Sequence, residues 1–219
     1  MNWTSDFAYV VGLITTDGCL SKDGRHIDFT SKDLEQVKNF VRALNPKIRI
    51  TSKKSSTGIV YPRVQFSDVN LYRYLISIGL HSNKSKTLKS ILVPDIFFAD
   101  FLRGCFDGDG CTYSYWDKRW KSSFLLYLSF VSASLDFLKW LQGKIENLYK
   151  AKGTIKDDGK SAFQLIFAKK SSLIIIRKMY HSPKVTCLTR KKSKISKSLG
   201  IIRGQSRSGE TGILATLRW

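Results

Sequence analysis

The strongest constraint on this chain is that it repeats itself. Displacing the sequence by 92 residues lays Gly12, Asp17, Gly18 and Cys19 onto Gly104, Asp109, Gly110 and Cys111, with matching apolar residues around them. At a displacement of 101, Ile27, Phe29, Ser31, Leu34, Val37 and Phe40 fall on Leu128, Phe130, Ser132, Leu135, Leu138 and Leu141, and the nine extra residues fit a longer hairpin around YWDKRWKSS. HSNK at 81–84 lies over HSPK at 181–184. Three stretches therefore agree on a duplicated unit, and whatever one half folds into, the other must fold into as well.

Each unit reads in the same order. DFAYVVGLITTD has apolar residues at helical spacing, Asp6 near its start and Gly18 as its stop,. Asp23-Gly24 between two extended runs is a hairpin signal,. SKDLEQVKNFVRALN predicts an amphipathic helix with Ser31 as N-cap and Leu34, Val37, Phe40, Val41 and Leu44 on one face,. In KIRITS and IVYPRVQF, Ile48, Ile50, Val64 and Phe66 alternate with Lys47, Arg49, Thr51, Arg63 and Gln65, so one face is apolar and the other basic,. DVNLYRYLISIGL closes the unit as a helix. The second half predicts strands at 111–116, 124–131, 152–156 and 162–167 and helices at 133–149 and 170–180. The fold class is α+β, two tandem αββαββα units with helices on one face of each antiparallel sheet. We divide the chain into repeats at 1–95 and 96–197 and a Gly/Ser-rich segment at 198–219, which reads as a flexible tail or an added arm on a nucleic acid.

The charge names a class of partner. With 37 Lys+Arg against 17 Asp+Glu, the chain carries +20 at pH 7, well beyond what solubility requires,. The positive residues are spread along the whole sequence and not gathered on one amphipathic helix, which favours nucleic acid over a membrane surface,. No apolar run approaches a bilayer span, and NWTSDFAYV after Met1 lacks the basic start of a signal peptide, so the expected location is intracellular, in cytoplasm, nucleoid or organelle matrix,. Cys19, Cys105, Cys111 and Cys187 form no C-x-x-C pair and read as buried reduced thiols, and His26, His81 and His181 are too dispersed to nominate a ligand set,.

The repeated acid carries the chemistry. Gly12 and Gly104 would let two helix backbones approach closely, and if the helices at 8–17 and 99–109 pack side by side, Asp17 and Asp109 emerge together at their ends,. Two carboxylates in one small volume call for a cation. Oxygen ligands without Cys or His suit a hard ion such as Mg²⁺, which suggests a metal-dependent phosphodiesterase. An Asp-Gly pair alone marks only a turn, but its duplication under two glycine-containing apolar runs argues for more.

VVGLITTDG at 10–18 and LRGCFDGDG at 102–110 resemble the two motifs of a single-chain LAGLIDADG homing endonuclease, and the resemblance covers about residues 6–195. Consensus leucines are replaced by Val10 and Cys105, and the first consensus acid is Thr15 in one motif and Asp107 in the other. The resemblance implies a pseudo-twofold pair of units with the motif helices at the interface and two saddle-shaped sheets forming a groove for DNA. It implies catalytic and metal-binding roles for Asp17 and Asp109, with Gly18 and Gly110 beside them at the metal, and a structural role for Asp107. The metal would be Mg²⁺, with Mn²⁺ or Ca²⁺ able to take its place. A basic residue near each site is expected after the last helix of each half. NKSKT offers Lys84 or Lys86 and LTRKKSK offers Arg190 or Lys191; the repeat displacement pairs Lys84 with Lys184, whereas motif likeness pairs it with Lys191, and Lys84 and Lys191 are the catalytic pair expected.

On this reading the polar strand faces line the groove. The expected DNA-binding residues are Lys22, Arg25, His26, Asp28, Thr30, Lys47, Arg49, Thr51, Tyr61, Arg63 and Gln65 in the first half. In the second half they are Lys118, Arg119, Lys121, Tyr127, Ser129, Lys152, Thr154, Lys156 and Gln164,. Because the halves differ at nearly all of these positions, the target should be an asymmetric double-stranded DNA site bound by a monomer. The resemblance further implies that both strands are cut, leaving short 3′ overhangs. No splicing-domain signature is evident, so an intron-encoded or free-standing origin is expected. The competing readings are an intron RNA maturase, a binding-only regulator on the same scaffold, and a basic RNA-associated structural protein.

Overall fold

The glycine-punctured apolar runs form the two central helices, α1 (Ser5–Thr16) and α4 (Phe98–Asp109). Phe7 to Thr15 of α1 are buried without a break, because this helix has protein on every side and needs no polar stripe. Thr4 caps it by accepting from the Phe7 amide at 3.0 Å,. Gly12 and Gly104 meet at the crossing: a Cβ built on Gly12 would lie 2.2 Å from the Phe101 carbonyl oxygen, and one on Gly104 would lie 2.2 Å from that of Tyr9. Only glycine permits this approach. The structure, a computed structural model, describes residues 1–159 and 161–207.

From each central helix the chain enters a four-stranded antiparallel sheet. In the first unit β1 (Gly18–Leu20), β2 (His26–Thr30), β3 (Ile50–Lys54) and β4 (Val60–Ser67) lie in the order β1-β2-β4-β3. In the second, β5 (Gly110–Trp116), β6 (Phe124–Ser132), β7 (Thr154–Asp157) and β8 (Phe163–Phe167) repeat that order as β5-β6-β8-β7. Even the register repeats, since Gly18 pairs with Phe29 and Gly110 with Phe130. The helices α2 (Leu34–Leu44), α3 (Val69–Ser77), α5 (Leu135–Tyr149) and α6 (Lys169–Met179) complete two αββαββα units, as the periodicity predicts. Ile27, Phe29 and Val64 are buried against α2, whose Phe40 ring stacks on Phe29 at 4.5 Å. Leu128, Phe130 and Leu165 do the same beneath α5.

Several local expectations shift. Ser31 is not the N-cap of α2; that place is taken by Asp33, and the Ser31 hydroxyl instead donates to Gln36 Oε1 at 2.6 Å. Leu34 faces outward, 46% exposed. Lys47 and Arg49 precede β3 and do not belong to it, and every residue of β3 is exposed, Ile50 included, because an edge strand has a neighbour on one side only,. Lys152 likewise precedes β7. Of the cysteines, Cys105 is buried, whereas Cys19 and Cys111 are exposed.

A seventh helix, α7 (Thr189–Arg207), runs through the boundary expected at 198. Its Ile195, Ser198, Leu199 and Ile202 are buried, and Ser198 shares a hydrogen bond with Ser114 of β5 at 3.0 Å. The apolar positions at 195, 199 and 202 have helical spacing, but they straddle the break at which the composition turns Gly- and Ser-rich. The expected tail thus begins as helix, and residues 208–219 lie outside the described residues. No described helix is long and apolar enough to cross a membrane.

Candidate active site and groove face

Asp17 caps the C-terminal end of α1, and Asp109 is the last residue of α4. The helix pair brings the two ends side by side: a Cβ on Gly108 would lie 2.0 Å from Thr16 Oγ1 and 3.0 Å from Asp17 Oδ2. Asp17 is therefore in contact with the residue that precedes Asp109. Burial and the neighbouring Asp109 charge push the Asp17 carboxyl up to about 6, against the opposing pull of Lys191 and Lys84. Burial also raises Asp109, again opposed by Lys191 and Lys84. A partly desolvated acid pair of this kind favours a shared cation or proton.

Two of the lysines offered by the sequence, Lys84 and Lys191, lie beside the acids. Lys84, in the 3₁₀ turn Lys84–Lys86, is only 6% exposed and donates to the Gly18 carbonyl. Lys191, in the first turn of α7, donates to the carbonyls of Gly110 at 2.7 Å, Phe106 at 2.6 Å and Gly108 at 3.0 Å. Each lysine thus holds the carbonyl that follows one of the two acids. Burial lowers both ammonium groups. Lys86 and Lys184, the other lysines offered by the sequence, are exposed. A carbonyl oxygen has two lone pairs, and Gly18 and Gly110 each retain one beyond the lysine bond.

No group of three or more His, Cys, Asp or Glu placed to hold a metal ion occurs among the described residues. A cation here would be held by two carboxylates and by carbonyl, water or phosphate oxygens, a donor set that fits Mg²⁺.

Behind the acids, the motif interface holds a buried polar network. Asp107, 1% exposed, accepts from Tyr9 Oη at 2.9 Å and from the Leu188 amide at 2.7 Å, both on Oδ2. Its other oxygen has no hydrogen-bond partner, and burial pushes its carboxyl up to about 6. Arg103, also 1% exposed, donates to Asp100 at 2.7 Å and to the carbonyls of Met179 at 2.7 Å and Thr186 at 2.8 Å. His181 reaches the same Asp100 at 3.1 Å. Asp107 thus ties α4 to α1 and to the chain leading into α7.

The two acids open into different cavities. Beside Asp17 lies one of about 480 Å³, bounded by Thr30, Ser31, Lys32, Gln36, Tyr61 and Arg190 among others. Beside Asp109 lies one of about 170 Å³, bounded by Lys84, Leu88, Val131, Ser132, Ala133 and Phe137 among others. Gln36 Nε2 donates to Asp17 Oδ2 at 3.4 Å while Ser31 holds its other end.

On the outer sheet faces, Asp28, Thr30, Tyr61, Arg63 and Gln65 share one side of the first sheet, with Thr51 opposite Arg63. Arg63 is ion-paired to Asp28, which also accepts from Thr30 at 3.0 Å, so these three act as one fixed group. His26 is fixed by Asp23 at the turn of the hairpin that also carries exposed Lys22 and Arg25. Lys53, opposite Tyr61, belongs to the same face; continuing the alternation from Thr51 by one step identifies it. In the second sheet Thr154 and Lys156 are exposed, and Lys156 lies opposite Gln164. Ser129, expected on the reading face, is only 3% exposed, with its hydroxyl turned back to the Cys111 carbonyl at 3.5 Å. Tyr127 is stacked on Tyr113 at 4.9 Å and on Tyr115 at 6.2 Å. Tyr113 and Tyr115 are not among the expected residues, although the alternation along β5 is a signal that finds them. Lys118, Arg119 and Lys121 extend from the β5–β6 turn and are exposed, as are Lys47, Arg49 and Lys152.

A family model described as a LAGLIDADG-like domain matches residues 4–79. No curated protein matches the sequence significantly. Among solved structures, full-length DUF199/WhiA from Thermatoga maritima aligns over 98% of this chain with a TM-score of 0.60 and 14% identity, and the chain spans 64% of that protein's length. The homing endonuclease I-WcaI bound to its DNA recognition sequence aligns over 88% of each chain with a TM-score of 0.62 and 17% identity. I-DmoI in complex with DNA and Ca aligns over 82% of this chain and 91% of its own, with a TM-score of 0.54 and 18% identity. With its second unit repeating the strand order of the first, the chain is a two-unit protein of the LAGLIDADG fold, and its residues 4–79 carry the LAGLIDADG-like domain.

Proposed function

We propose that the protein is a site-specific DNA endonuclease of the homing type, cutting both strands of a long asymmetric duplex target with short 3′ overhangs. The observation that carries this reading is the coincidence of two acids and two lysines at the ends of the central helices, with each lysine bonded to the carbonyl after one acid. Two partly buried carboxylates at adjoining helix ends carry a desolvation cost that binding nucleic acid alone does not call for,. The outer strand faces, rich in Lys, Arg, Gln and hydroxyl side chains, supply donors for phosphates and base edges. The two units present different residues, which supports an asymmetric site read by a monomer.

In this reading Asp17 and Asp109, with the carbonyls of Gly18 and Gly110, are the residues that would hold a divalent cation. Such an ion, Mg²⁺ by the donor set, would supply a more acidic water and offset charge on the phosphate oxygens. Lys84 and Lys191 fix the helix ends and place positive charge beside the acids, where a phosphodiester gains negative charge as it is attacked. Gln36 orients Asp17. The buried Asp107 network holds the two motif helices in register and supplies no ligand.

The likeness to DUF199/WhiA, described as a LAGLIDADG domain and not as an endonuclease, supports a second reading, a binding-only or RNA-associated protein on the same scaffold. The test is to incubate the protein and Mg²⁺ with a randomised duplex library and sequence the cleaved ends. A single asymmetric motif with both strands cut is the expected result. Enrichment of bound duplex without cut ends would favour the second reading.

A further inference from the structure

We infer that the two halves of the acid site are functionally unequal, and that Gln36 makes the Asp17 half the faster one, so that the protein nicks one strand before the other. The inference rests on the endonuclease reading and concerns the order of its two cuts.

The repeat allows a position-by-position comparison of the two cavities. On the Asp17 side stand Thr30, Lys32 and Gln36; at the displacement of 101 their counterparts on the Asp109 side are Val131, Ala133 and Phe137. Every one of these exchanges replaces a polar or charged side chain by an apolar one. The volumes follow suit, about 480 Å³ beside Asp17 against about 170 Å³ beside Asp109. Ser31 and Ser132 are the same residue in the two halves, yet only Ser31 has a side-chain amide to hold, and it fixes Gln36 at 2.6 Å. Gln36 is itself 3% exposed and donates to Asp17. In the other half Phe137 is 3% exposed within the core, and it has no group that could orient Asp109.

Hydrolysis needs an ordered water and a path for its proton. The Asp17 cavity, at about 480 Å³, has room for several waters beside Gln36 and Lys32, whereas the Asp109 cavity, at about 170 Å³ and with Val131, Ala133 and Phe137 at the corresponding positions, holds fewer,. A hydrogen bond to a carboxylate also fixes its orientation, and losing one such bond changes a rate by roughly tenfold or more. Gln36 is thus a positioning residue acting through Asp17, without an equivalent in the second unit.

The test uses the full chain and a duplex recovered by binding selection from a randomised library, labelled with a different fluorophore on each strand. Under single-turnover conditions with Mg²⁺, one strand is expected to be cut at least about tenfold faster than the other, with a nicked duplex accumulating transiently. Gln36→Leu should slow the fast strand selectively and abolish the bias, and Phe137→Gln should speed the slow one. A structural defect alone would slow both strands together. Equal cutting of the two strands by the parent protein, or a bias that survives Gln36→Leu, would overturn the inference and leave the endonuclease reading intact. Binding of the duplex with neither strand cut would overturn the endonuclease reading itself.

Discussion

At the scale of single residues, the site depends on charges that other charges hold in place. Arg103 is enclosed between α4 and the chain that leads into α7, and it gives hydrogen bonds to Asp100 and two carbonyls. Replacing it by methionine keeps much of the volume but strands a buried carboxylate with only His181 for company. Breaking a buried pair in this way costs about 3–5 kcal/mol. Urea unfolding of Arg103→Met should show a loss of that size, and a change below about 1 kcal/mol would contradict the account. At the first hairpin, the His26 side-chain bond to Asp23 holds that carboxyl down at about 2, below its usual 3.8. A depressed folded pKa adds stability above the unfolded value and loses it as pH falls through the folded one. The Asp23 contribution should therefore be complete above about pH 4 and disappear near pH 2. Carbon-detected titration of the Asp23 carboxyl should give a midpoint near 2; a midpoint near 3.8 would show that the bond to His26 does not form in solution. Residues of this kind were only partly legible in the sequence. Asp17 and Asp109 announced themselves by repetition, whereas Gln36 and Arg103 owe their roles to partners far along the chain, which no local pattern reveals.

At the scale of elements, the α1–α4 crossing sets the spacing of everything else. Gly12 and Gly104 face each other with no space for a side chain. Gly12→Ala must push the helices apart, because its Cβ would meet backbone atoms of Phe101, Gly104 and Cys105 that cannot rotate away. Overpacking of this sort costs about 1–3 kcal/mol, and it also separates Asp17 from Asp109. The expected outcome is a lower Tm together with weakened cleavage, measured by calorimetry and by a nuclease assay on the selected duplex; a variant with wild-type Tm would contradict the close crossing. The element order was readable because duplication let each half check the other, and because Asp23-Gly24 and the α2 periodicity are strong local signals. What periodicity could not supply was depth. β3 reads as half-buried but stands exposed as an edge strand, and Ser129 has the parity of a groove residue while its hydroxyl bonds to the next strand. The helix α7 was missed because its buried positions straddle a change in composition.

At the scale of the whole molecule, two copies of one unit have diverged while keeping their shared axis. The central helices and both sheets repeat, whereas the outer faces and the cavities beside the acids do not. Duplication in this arrangement preserves what must be symmetric, the meeting of two acids, and frees each sheet to acquire its own surface. The linkers reinforce the pairing by crossing between units. Ser134 of the second unit bonds the Leu88 carbonyl, and Asn39 of the first bonds the Cys187 carbonyl at 2.8 Å. A net charge of +20 supplies long-range attraction to a polyanion without choosing a sequence,. On the proposed endonuclease reading, choice falls to the strand faces and the cut to the helix ends, so binding and cleavage should be separable by substitution. The most direct measurement is therefore cleavage and binding of the selected duplex, side by side, for Asp17→Asn and Asp109→Asn. Each variant should lose double-strand cleavage by at least about a thousandfold, a barrier increase of roughly 4 kcal/mol, while its Kd for the duplex stays within a few fold. Double-strand cleavage retained by both variants would contradict the account.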